Sequence, residues 1–153
     1  TYVGDGNNTC HALIHTAVKL GTNIRVCSPE GYEPNSRVVN EAMRVALETG
    51  AEVTILNDPE AAADGADAIY TDVWASMGQE DEIEERNGVF AAYQVDEEMM
   101  ARACKGALFL HCLPAHRGWE VTQEVMDGPQ SVVYDIAENR LHVQKAILAL
   151  LIR

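Results

Sequence analysis

The chain has 153 residues, 47 % of them hydrophobic, and a formal net charge of −13. That charge argues against a nucleic-acid partner, which needs a basic face to meet phosphate. No apolar run approaches the roughly 18 residues of a membrane span, and the opening residues do not read as a signal peptide. The length suits one domain with a sizeable core. Four cysteines (Cys10, Cys27, Cys104, Cys112) form no CxxC pair, which points to a reducing, cytoplasmic setting.

Taken in chain order, strands and helices alternate. "TYVGD" reads as a strand, and a domain that starts in mid-strand suggests that a natural N-terminal part precedes it. "NNTCHALIHTAVKLG" carries Leu13, Ala17, Val18 and Leu20 at near-helical spacing and stops at Gly21. "NIRVCSP" is the next strand, closed by the loop "SPEGYEPN". Asn35 or Ser36 caps a helix that runs to about Gly50, with Val38, Ala42, Val45 and Ala46 on one face. "AEVTIL" is a third strand, and Asp58 with Pro59 starts a helix. "AIYTDV" is a fourth strand, followed by the acidic helical segment "SMGQEDEIEERNGVFAAY". Asp96 caps "EEMMARACKG", which leads into the strand "ALFLHC". "EVTQEVMDG" is a short helix, "SVVYDI" a last strand, and "ENRLHVQKAILALLI" an amphipathic C-terminal helix. The pattern predicts an α/β fold: a doubly wound, Rossmann-like parallel sheet of about five to six strands with helices on both faces.

Such sheets bind ligands at the carboxyl ends of their strands. After the first strand, "VGDGNN" has Gly4 and Gly6, but Thr9 stands where a dinucleotide fingerprint needs its third glycine. The second strand ends Val26-Cys27-Ser28, without an acid for a ribose, so a nicotinamide or flavin site is disfavoured. Either the turn is simply capped, or Asn7 or Asn8 offers an amide to a polar ligand. After the fourth strand, Asp72 closes an apolar run, where a carboxylate needs a partner or a cationic ligand. Ser76 and the N–H groups of Met77 and Gly78 then open a helical segment suited to an anion. Together they suit a zwitterionic amino acid; the alternative is an N-cap beside a solvent-facing aspartate.

After the fifth strand, "ALFLHCLPAHRG" leaves three readings open: a metal site, a nucleophile, or an ordinary strand exit. His111 and Cys112 are neighbours on an extended strand and should point to opposite faces, a poor geometry for joint chelation. A cysteine nucleophile wants a basic partner, which His111 or His116 could supply. Pro114 after Leu113 suits a strained turn, even a cis bond. Arg140 is expected in the first turn of the C-terminal helix, where its charge opposes the dipole. It suits a phosphate or carboxylate there, unless it pairs with Glu138 or Asp135.

Together, "VGDGNN", "DVWASMGQE", "HCLPAHRG" and "AENRLH", with "EGYEP" and "YQVDEEMM", resemble the ornithine carbamoyltransferases in their second, ornithine-binding domain. The resemblance covers essentially the whole chain. It implies that carbamoyl phosphate and L-ornithine give L-citrulline and phosphate, with no metal or organic cofactor. Motif by motif, Asn8, Asp72, Ser76 and Met77 (the last through its backbone) would hold the amino and carboxylate groups of ornithine. Cys112 and Leu113 would face the reacting carbamoyl group, and Arg140 would reach carbamoyl phosphate. Asp72 and Cys112, as thiol or thiolate, would orient the attacking amine and manage its proton.

The family's first domain, with its Ser-Thr-Arg-Thr and His-Pro-Gln motifs, does not appear in these residues. The expectation is therefore that residues 1–153 form the ornithine-binding domain of a two-domain enzyme, inactive alone, whose parent is a homotrimer or a multiple of trimers. Two other readings stand beside it: a stand-alone amino-acid-binding module, and a transcarbamylase for another diamino acid. Ala12, Trp119 and Ile136 depart from residues common in the family.

Overall fold

In a computed structural model, which describes residues 1–75, 78 and 80–152, five parallel strands form one sheet. They are β1 (Tyr2–Val3), β2 (Ile24–Cys27), β3 (Val53–Leu56), β4 (Ala68–Thr71) and β5 (Leu108–His111), in the order β3-β2-β1-β4-β5. The helices are α1 (Asn8–Lys19), α2 (Ser36–Thr49), α3 (Pro59–Ala63), α4 (Ile83–Phe90), α5 (Glu97–Arg102), α6 (Gln123–Met126) and α7 (Val133–Leu151). The expected α/β architecture is what forms.

Alternation along the strands sorts the core into two layers. Tyr2, Ile24 and Val26 face Cys10, Ile14 and Val18 of α1 and Ala42 and Ala46 of α2. Val3, Cys27, Ile69 and Phe109 point the other way, into a cluster with Trp74, Phe90, Tyr93, Met99 and Met100. Helix starts follow the expected caps: Asn7, Asn35, Asp58 and Asp96 each accept backbone N–H groups from the following first turn. At Gly6 the loop through residues 29–34 comes so close that an added Cβ would lie 2.2 Å from the Pro34 nitrogen. Gly6 N–H donates to the Tyr32 carbonyl at 2.8 Å, so this glycine seats one loop against another.

The C-terminal reading needs correction. "SVVYDI" is not a strand. Phe109 N–H donates to the Gln130 carbonyl and Val132 N–H to the Phe109 carbonyl, which leaves only an isolated bridge from Ser131 to the edge of β5. The chain then turns into α7 at Val133, the one buried residue of that helix. From Val133 on, the backbone groups pair within the helix and not with the open edge of β5. Arg140 therefore lies about two turns inside α7, not in its first turn, and it is exposed. Beyond Val133 the apolar side of α7 is also exposed, with Leu141 at 58 % and Leu151 at 77 %. No described helix is long and apolar enough to cross a membrane.

Candidate functional site

The sheet reverses its winding beside β1: β2 and β3 lie on one side of it, β4 and β5 on the other. This is the switch point, where the connections after β1 and β4 diverge and leave a crevice. Asn7 follows β1 and Asp72 follows β4, and the two meet across the crevice, with Asn7 Nδ2 donating to Asp72 Oδ2 at 3.4 Å. From the end of β5, the Cys112 thiol donates to Asp72 Oδ1 at 2.9 Å. Val73 N–H donates to the same oxygen at 2.8 Å. Three segments far apart in sequence thus converge on one carboxylate, itself only 6 % exposed.

These contacts define the chemical state of the sulfur. Burial, and then the Asp72 carboxylate, push the Cys112 thiol up to about 12. It is a thiol and a donor, with an anion as its neighbour where a nucleophilic thiolate would need a cation. Tyr70, on β4, has its phenol raised by burial and by the nearby Cys112 and Asp72, and lowered by the charge of Arg140.

The turn after β5 is held from below. Leu113 has a positive φ of 59° and is joined to Pro114 by a cis peptide bond. Its N–H donates to His111 Nδ1 at 2.9 Å. The other ring nitrogen of His111 lies 3.3 Å from Glu120 Oε1, and His116 N–H donates to that oxygen at 2.6 Å. His111 and Glu120 are both fully buried. Trp119 stacks on His116 at 4.9 Å between ring centroids.

The separation of His111 from Cys112 expected from strand alternation does not hold. One ligand atom from each of Asp72, His111 and Cys112 lies within 4.8 Å of the others. Each group already has a partner, however: the imidazole accepts the Leu113 N–H at Nδ1, and the thiol donates to the carboxylate.

Of the residues singled out from the sequence, the fold brings Asp72 and Cys112 into contact, with Leu113 next to them on the turn. Asn8 is the exposed first residue of α1, beside Asn7. Ser76 and Met77 lie outside the described residues. The sequence reading left Asn7 as one of two options and passed over Glu120 and Arg86. Arg86 is buried, and its Nη1 donates to Asp5 Oδ2 at 3.0 Å. It had a signal: it is the only lysine or arginine between Arg44 and Arg102, set in an acidic run.

Comparison with known proteins places the chain in a family and matches its fold. Residues 1–151 match the family model described as aspartate/ornithine carbamoyltransferase, Asp/Orn binding domain. The chain is 55 % identical over 151 residues to an ornithine carbamoyltransferase of Pyrococcus horikoshii, covering 99 % of this chain and 48 % of that protein. It superposes on the solved ornithine carbamoyltransferase from Pyrococcus furiosus with a TM-score of 0.93 and 54 % identity, covering 97 % of this chain and 48 % of that one. An acetylornithine transcarbamylase complexed with acetylcitrulline matches with a TM-score of 0.85 at 31 % identity, over 99 % of this chain and 48 % of that one. The chain spans about half the length of the curated relatives it matches.

Proposed function

The chain belongs to the aspartate/ornithine carbamoyltransferase family, as its Asp/Orn-binding domain, and from that premise we propose that it is the ornithine-holding half of an ornithine carbamoyltransferase. The observation that carries this reading is the Asn7–Asp72–Cys112 cluster at the switch point. A buried carboxylate with one amide and one thiol around it suits the ammonium of an amino acid. Asn8, Ser76 and the Met77 backbone are assigned to the rest of its zwitterionic end. The δ-amine is then directed to the turn at Cys112 and Leu113, where it meets the carbamoyl group of carbamoyl phosphate.

In that arrangement the amine nitrogen, having lost its ammonium proton, attacks the carbamoyl carbon. The carbon–oxygen bond to phosphate breaks and its electron pair leaves with phosphate. The nitrogen of the adduct gives up one further proton, for which the Asp72–Cys112 pair is the nearest described acid–base unit. Positioning of a strong nucleophile beside an activated carbonyl supplies the rate, and the protonated sulfur takes no covalent part. Arg140 is assigned to carbamoyl phosphate from α7, and the larger part of that site to a preceding domain. The parent enzyme is read as a homotrimer or a multiple of trimers, in a reducing cytoplasm that fits four unpaired thiols. Identity falls from 55 % for an ornithine enzyme to 31 % for the acetylornithine enzyme, which favours free ornithine as the amine.

A two-dimensional amide NMR titration of this chain with L-ornithine, with L-lysine as control, tests the reading. Selective shifts at Asn8, Asp72 and Cys112 are expected with ornithine. No shift at millimolar ornithine would remove the claim that this half alone holds the amino acid.

A further inference from the structure

Arg86 is the one fully enclosed cation of the acidic stretch after β4, being 6 % exposed. A buried guanidinium persists only where its donors are matched, and here they reach well beyond its own helix. From α4, Nε donates to Glu82 Oε2 at 2.8 Å, one turn back. Nη1 donates both to Asp5 Oδ2 at 3.0 Å and to the Trp74 carbonyl at 2.9 Å. The guanidinium carbon also stands 5.1 Å over the Tyr32 ring, a cation–π contact on the loop that seats against Gly6.

The placement of two of these partners matters most. Asp5 stands two residues before Asn7, and Trp74 two residues after Asp72. One nitrogen therefore ties the loop after β1 to the loop after β4, just behind the place where Asn7 and Asp72 face each other. That facing contact is itself long, at 3.4 Å, and too weak to set the spacing of the two loops. Arg86 touches neither, so whatever it does to a ligand it does through the loops.

We propose that Arg86 is a positioning residue for the amino-acid site: by clamping Asp5 and the Trp74 carbonyl together, it sets the distance between Asn7 and Asp72, and so the width of the crevice that receives the amino acid's ammonium end. This rests on reading that crevice as the ornithine site. Asp5 is the working arm of the clamp. Glu82, more than half exposed and on the helix side, only neutralises the charge.

The test uses the whole 153-residue chain with Arg86→Met, Arg86→Lys, Asp5→Asn and Glu82→Gln. The measurements are the Kd for L-ornithine, the Asn7 side-chain amide resonances, and the rate of Cys112 alkylation by iodoacetamide. Arg86→Met and Asp5→Asn should weaken ornithine tenfold or more, move the Asn7 amide and change the alkylation rate. Arg86→Lys should recover part of each effect, and Glu82→Gln should leave all three near wild type. Asp5→Asn keeps the arginine in place and decides the matter if Arg86→Met does not fold. If the variants lose stability but bind ornithine as the wild type does, Arg86 is structural only and the proposal falls. If the wild-type chain binds no ornithine, the function proposed above is what fails. The clamp is then judged on the Asn7 amide and Cys112 alone, where unchanged signals overturn it.

Discussion

Cys112 Sγ lies 2.9 Å from Asp72 Oδ1 and gives it a hydrogen bond, so the sulfur at this site faces a negative charge. Its reactivity should follow. With the thiol held up to about 12, alkylation by iodoacetamide should be slow at pH 8 and rise only as pH approaches that value. Asp72→Asn removes the acceptor charge, so the thiol pKa should fall and alkylation quicken at fixed pH. An unshifted rate profile, with Cys112 as reactive at pH 8 as a free thiol, would contradict the contact.

Replacing the sulfur separates positioning from covalent catalysis. Cys112→Ser keeps a donor within reach of Asp72. In a complete two-domain enzyme it should retain much of its turnover while using ornithine less well, seen as a raised KM with a smaller change in kcat. Mass spectrometry of the wild type during turnover checks the other side: an accumulating carbamoyl adduct on Cys112 would sink the positioning account.

Glu120 is fully buried and accepts the His116 N–H while facing His111. Glu120→Ala leaves the His116 N–H without its acceptor, so urea unfolding should show a loss of about 1–3 kcal/mol. Glu120→Gln keeps an oxygen for His116 and should cost clearly less. Equal costs for the two variants would show that the carboxylate oxygen at His116 is not what matters.

Cys10 and Cys27 lie in the core, and burial lifts both thiols to about 12. Their folded pKa exceeds the unfolded value, so the folded state binds the proton more tightly. The stabilisation is complete below about pH 9 and is lost as pH rises from there towards 12. Each thiol adds a slope of about 1.4 kcal/mol per pH unit within that window. Urea midpoints between pH 8 and 11 should fall less steeply in Cys10→Ala and Cys27→Ala. The slopes are the quantity to compare, since each variant also loses packing at every pH.

Much of this architecture was legible because local signals agreed with the global one. Caps at Asn35, Asp58 and Asp96 start helices where expected, and strand ends collect the polar residues. The reading failed at "SVVYDI" because a β-branched run looks like a strand whether or not it goes on to pair along the edge beside it. Only the register on β5 shows that pairing stops at Ser131. Moving the helix start to Val133 then carried Arg140 inward by the same distance. At the site, Asp72 and Cys112 could be found from the strand-end rule, but their contact could not, since a separation of 40 residues carries no spacing signal. Asp5 and Arg86 are 81 residues apart, and only the isolation of Arg86 among acids hinted that it had a distant partner.

The crevice has a consequence for how the protein folds. Its contacts join Asn7 to Asp72 across 65 residues and Asp72 to Cys112 across 40, and parallel strands cannot pair until the crossovers between them are made. Contacts of such long range are generally late ones on a folding route. A chain with β1 to β3 in place still lacks both Asp72 and Cys112, so a partly assembled sheet has nothing for the ligand to grip. Stabilisation by a bound amino acid should therefore appear almost wholly in the unfolding limb of a chevron, with the refolding limb unmoved. Ligand can keep the finished protein from coming apart; it cannot hurry an unfinished one into shape.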